Sequence, residues 1–88
     1  MFKMQTLDTR QQLMVIASEE CGELIQVLSK ILGKGKVDDR YRENLVEELG
    51  DVYCMIDLMQ KYDLVSWKEL EDRAEVKRKK LEKWSNLI

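Results

Sequence analysis

The apolar positions of this chain recur at helical spacing almost throughout. Leu13, Ile16, Ala17, Leu24, Val27, Leu28 and Ile31 share one face of a helix turning by about 100° per residue. Tyr41, Leu45, Leu49, Val52, Ile56 and Met59 form a second stripe. Trp67, Leu70, Ala74, Leu81 and Ile88 form a third, with Trp84 at its edge and Lys77 where an aliphatic residue is expected. There is no strand signal, so the pattern predicts an all-α chain of three helices, roughly 25, 23 and 20 residues long.

The punctuation between stripes agrees. Asp8 or Thr9 can cap the first helix, since Thr9 and Gln12 have capping-box spacing. Gly33-Lys34-Gly35-Lys36 ends it, with glycine available for a left-handed cap and lysines to complement the C-terminal dipole. Asp38 and Asp39 suit the start of the second helix. Tyr62-Asp63-Leu64-Val65 makes a connection, and Ser66 with Glu69 is a capping box that opens the third.

Two carboxylates interrupt the stripes. Glu20 falls in the middle of the first apolar face with Glu23 at its margin. Glu48 lies within the second face with Asp51 just outside it, and Asn44 shares the Asp51 side. Both pairs belong to a hexapeptide written nearly twice, Glu19-Glu20-Cys21-Gly22-Glu23-Leu24 and Glu47-Glu48-Leu49-Gly50-Asp51-Val52. Residues at i and i+3 share a helix face, so packing the two helices together brings four carboxylates toward one small volume. An acidic run on a helix is ordinarily a solvated surface. Here the run occurs twice, and each copy puts an acid on a face meant for burial, which is costly unless something neutralises it.

A cation fits that requirement, and the donors select its type. The chain has no His, and its two cysteines lack Cys-x-x-Cys spacing. All-oxygen donors favour Mg²⁺, with Mn²⁺ as a substitute, over zinc or copper. A di-iron bundle would use Glu-x-x-His motifs. Mg²⁺ typically completes its shell with substrate phosphates, which points to phosphoryl or nucleotidyl chemistry.

The paired motif, Glu19-Glu20-x-x-Glu23 and then Glu48-x-x-Asp51, resembles the signature of the MazG-like all-α nucleoside triphosphate pyrophosphohydrolases, relatives of the dimeric dUTPases and dCTP pyrophosphatases. The resemblance covers the first two helices well. The Lys-rich third helix, with Lys77-Arg78-Lys79-Lys80, resembles the family's basic closing helix more loosely. It implies Mg²⁺-dependent hydrolysis of a nucleoside or deoxynucleoside triphosphate to the monophosphate and pyrophosphate, in nucleotide-pool control or house-cleaning. Glu20, Glu23, Glu48 and Asp51 would be the metal ligands, and Glu19 and Glu47 would orient or deprotonate the attacking water. Lys77 first and Lys80 second would meet the phosphates, with Lys30, Lys34 and Asn44 as further substrate contacts. Trp67 and Trp84 could stack on a base, although such a stripe is more often core.

Size and composition add partners and place. At 88 residues the chain is one small domain, 1–88, and short chains bury a limited share of their surface. The expectation is a four-helix-bundle-like core completed by oligomerisation, as a homodimer or homotetramer. Gly22 and Gly50, inside helices but off the main stripes, hint that another helix approaches there. A net charge of −2 argues neither for nor against an anionic ligand. No apolar run is long enough for a membrane span, so the expected setting is the reducing cytoplasm, without nucleic acid or membrane, with Cys21 and Cys54 as buried or half-buried thiols. The competing reading is a non-catalytic helical oligomerisation or nucleotide-sensing module with an acidic, cation-binding face.

Overall fold

The computed structural model describes residues 3–35 and 38–88. A 3₁₀ turn, Met4–Thr6, leads into α1 (Thr9–Lys34), α2 (Asp39–Lys61) and α3 (Trp67–Trp84). The described residues are all-helical, with no strand. The helices have 26, 23 and 18 residues, and Ile88 of the expected third stripe lies beyond the helix end.

Each helix starts where a side chain satisfies an orphan backbone N–H. At α1 that side chain belongs to Asp8, not Thr9. The Asp8 carboxylate accepts from the Gln11 N–H at 2.8 Å, and the Gln11 side-chain oxygen accepts from the Asp8 N–H at 3.0 Å. The expected box is therefore shifted by one residue, and Gln12 instead donates to the Leu7 carbonyl at 2.9 Å. Asp38 caps α2 through the Tyr41 N–H at 3.0 Å. The Ser66–Glu69 box opens α3 as expected.

The ends differ. Gly35 closes α1 in the left-handed conformation, φ +75°, its N–H donating to the Ile31 carbonyl. Lys36, the last residue of the expected stop signal, lies outside the described residues. After α2 the left-handed position, φ +60°, falls to Asp63, a residue type that tolerates it better than most.

α1 and α2 form the packed unit. Glu20 and Glu23 of α1 meet Glu48 and Asp51 of α2, whereas Lys30 and Lys34 share a cleft with Arg40, Tyr41 and Asn44. Later residues of α1 thus face earlier residues of α2, so the pair is antiparallel. Leu13 and Met55 are its buried apolar side chains. Ile16, Ala17, Leu24, Val27, Leu45, Val52 and Ile56 are half-buried around them. Met55 was not on the expected stripe; it lies one turn beyond Asp51.

The core is thin. α3 packs sparsely on the other two helices, and an aromatic contact joins it to α2: Trp67 stacks on Tyr53 with ring centroids 6.2 Å apart. The radius of gyration is 15.8 Å, whereas a compact chain of this length would have about 12 Å. Several expected apolar contacts are missing. Leu28 and Leu49 are exposed, and so are both free thiols, Cys21 and Cys54, against the expectation of burial. Nothing comes within 4 Å of a Cβ built on Gly22 or Gly50, so among the described residues no other helix approaches there. Among the described residues no helix is long and apolar enough to cross a membrane.

Candidate functional site

Helix register pairs the acids, and helix packing gathers the four. Glu20 and Glu23 are three residues apart on α1, Glu48 and Asp51 three apart on α2, and antiparallel packing sets the two pairs opposite each other. Each of the four offers a carboxylate oxygen, and these oxygens all lie within 4.8 Å of one another.

The acids fall into two classes. Glu23 and Asp51 are exposed, while Glu20 and Glu48 are half-buried. In each of the latter, one oxygen, Oε2, is sealed from solvent and has no hydrogen-bond partner. A sealed, unpartnered carboxylate oxygen is uncommon because burial strips its water without replacing it. No Lys or Arg forms an ion pair with the cluster among the described residues.

The protonation equilibria carry the same message. The Glu20 carboxyl is held above the ordinary carboxylate range, first by desolvation and then by repulsion from Glu23, Asp51 and Glu48; a protonated Glu20 can also share its proton with Asp51. Glu48 is likewise raised, first by desolvation, then by Glu23, with which it can share a proton, and by Asp51 and Glu47. The four residues could therefore hold a metal ion. The donors are all oxygen, no Lys or Arg among the described residues relieves their mutual repulsion, and two sealed acceptors lack a partner.

The remaining expected residues lie at varying places. Glu19 and Glu47 are exposed beside the cluster in sequence, outside the set of four. Lys30 and Asn44 come together in the cleft near the C-terminal end of α1, where Lys34, Arg40 and Tyr41 join them. Lys77 does not occupy a buried stripe. It is exposed, with its ammonium 6.0 Å from the Trp84 ring centroid. Lys80 lines a small hollow on α3 with Val76, Lys79 and Lys83. Arg40 and Tyr41 were not singled out as ligand contacts, although Arg40 falls one turn before Asn44 on the Asp51 side and was legible by register.

Set against family models, curated proteins and solved structures, the chain gave no match.

Proposed function

We propose that the chain is a nucleoside triphosphate pyrophosphohydrolase of the MazG-like kind, acting on the α–β phosphoanhydride with Mg²⁺. The observation that carries the reading is the gathering of four carboxylate oxygens within 4.8 Å, two of whose residues also hold a sealed oxygen without a partner. Glu20, Glu23, Glu48 and Asp51 would hold the ion. When bound, the ion would neutralise the phosphate oxygens and offset the charge that develops during displacement.

The residues of the chain have simpler tasks. Water adds to a phosphorus of the anhydride as the bridging P–O bond breaks, and the electron pair leaves with the other phosphate. Glu19 or Glu47, exposed beside the cluster, takes the proton that water loses. The products are the monophosphate and pyrophosphate. Lys30 and Asn44 contact the substrate from the groove, with Lys77 and Lys80 of α3 as the second source of positive charge.

The reading includes a homodimer or homotetramer in a cytoplasmic setting. Its support is a second apolar stripe on α1, about a quarter turn round the helix from the one that meets α2. Met14, Ile25, Leu28 and Leu32 are 50, 63, 42 and 81% exposed, and they fall along that flank with Cys21. A continuous apolar face of this kind is characteristic of an interface. A second copy would supply the bundle that one chain lacks.

The test is release of monophosphate and pyrophosphate from a panel of NTPs and dNTPs with Mg²⁺, Mn²⁺ or EDTA. Metal-dependent release of both products is the expected result, and sedimentation of the same sample should give a mass above the monomer. Silence across the panel with Mg²⁺ still binding would leave the nucleotide-sensing module. Silence without Mg²⁺ binding would leave the oligomerisation module.

A further inference from the structure

The groove between α1 and α2 reverses its charge along its length. Beyond the four carboxylates, toward the C-terminal end of α1, a cleft of about 530 Å³ opens between Lys30, Gly33 and Lys34 of α1 and Arg40, Tyr41 and Asn44 of α2. Helix register sets this cleft in line with the cluster. Lys30 and Lys34 fall on the Glu23 side of α1, and Arg40 and Asn44 on the Asp51 side of α2. At 1.5 Å rise per residue, Lys30 lies roughly 10 Å along the axis from Glu23, and Asn44 roughly 6 Å from Glu48.

The cations of the cleft are uncommitted. Lys61, Lys68 and Arg78 each form an ion pair with a carboxylate on their own helix, whereas among the described residues Lys30, Lys34 and Arg40 form none. Asp38, at the start of α2, is engaged in capping the Tyr41 N–H. The Asn44 amide and the Tyr41 hydroxyl add neutral donors. A single small anion would use one part of such a cleft. An anion with its charge spread along a chain can reach the cations and still present an anhydride to the carboxylate-bound ion.

We propose that the cleft holds the terminal diphosphate of the triphosphate, the part released as pyrophosphate, and that the nucleoside end points the other way along the groove. The assignment rests on the triphosphate reading above and adds an orientation to it. It makes Lys30 and Arg40 the main phosphate contacts, ahead of Lys77 and Lys80 of α3.

The test is a calorimetric titration of inorganic pyrophosphate in EDTA, where the acidic cluster contributes no metal-mediated binding. Lys30→Ala and Arg40→Ala should each weaken it by about tenfold or more, the effect expected on losing a charge-assisted contact. Lys61→Ala, distant on α2, should leave it unchanged. Circular dichroism would check the fold, which these exposed positions should not disturb. Equal affinity in wild type and both cleft variants would overturn the assignment, as would no pyrophosphate binding by wild type. Nucleoside monophosphate should bind both variants as it binds wild type; equal weakening would overturn the orientation. A separate Mg²⁺ titration of Glu48→Gln addresses the metal reading. Unchanged Mg²⁺ affinity there would defeat that reading whatever pyrophosphate does.

Discussion

On α3, Lys68 meets Asp72 at 2.8 Å and Arg78 meets Glu75 at 3.1 Å, pairs one turn apart and open to solvent. On the α1–α2 pair, Glu20, Glu23, Glu48 and Asp51 meet one another. The same residue types serve opposite ends in these two regions. On α3 the charges neutralise locally and keep a sparsely packed helix in water, as helix-surface charges usually do. Between α1 and α2, like charges share a partly dry site, and tertiary packing maintains a repulsion that local sequence could have avoided. That difference separates a charged surface from a candidate site.

The largest effect should come from removing one charge of the cluster. Glu48→Gln or Asp51→Asn should abolish turnover and weaken Mg²⁺ by at least about a hundredfold, the upper end of what even outer-shell changes cost. The metal-free variant should stay folded and melt no lower than wild type, because repulsion is relieved. Full activity in either variant would reduce the cluster to a surface like that of α3.

A smaller effect concerns pH. Glu20 and Glu48 have raised folded-state pKa values, so above the unfolded value of 4.5 the folded state binds more protons than the unfolded state. Metal-free stability should therefore be greatest below that value and decline as pH rises through the two raised values. Saturating Mg²⁺ should offset the decline, and Glu20→Gln should flatten it. Urea denaturation across that pH range, with and without Mg²⁺, checks the sign. A metal-free protein that gains stability on the same rise would contradict it.

The smallest effect belongs to α3. Lys68→Ala removes an exposed pair and should change unfolding free energy by about 0.3–0.5 kcal/mol, with no change in Mg²⁺ affinity. A loss of Mg²⁺ affinity would mean that the two regions are coupled and that the comparison fails.

The amino-acid sequence specifies the three helices. Apolar residues at helical spacing, Asp38, the Ser66–Glu69 box and the left-handed Gly35 act within a few residues of one another, so the linear chain displays them. It also determined which four acids could converge, because i and i+3 spacing fixes a shared face before any packing occurs. Neighbour competition decided the finer points. Asp8 displaced Thr9 as the cap because a carboxylate is the better acceptor for the first free N–H. Lys77, set on an apolar stripe by its number, turned outward over Trp84 because α3 offers little surface to bury against.

How much of each stripe is covered depends on how the helices pack. Periodicity marks a face as apolar without saying what lies on it, so Leu28, Leu49 and Cys21 could be read as buried and stand exposed. Burial of Met55 likewise depends on the antiparallel pairing of α1 with α2. The sealing of one oxygen each on Glu20 and Glu48, and the cleft that joins Lys30 to Arg40, have the same origin. These features arise from atoms brought close by the hairpin between residues far apart in the chain, and no local spacing encodes that distance.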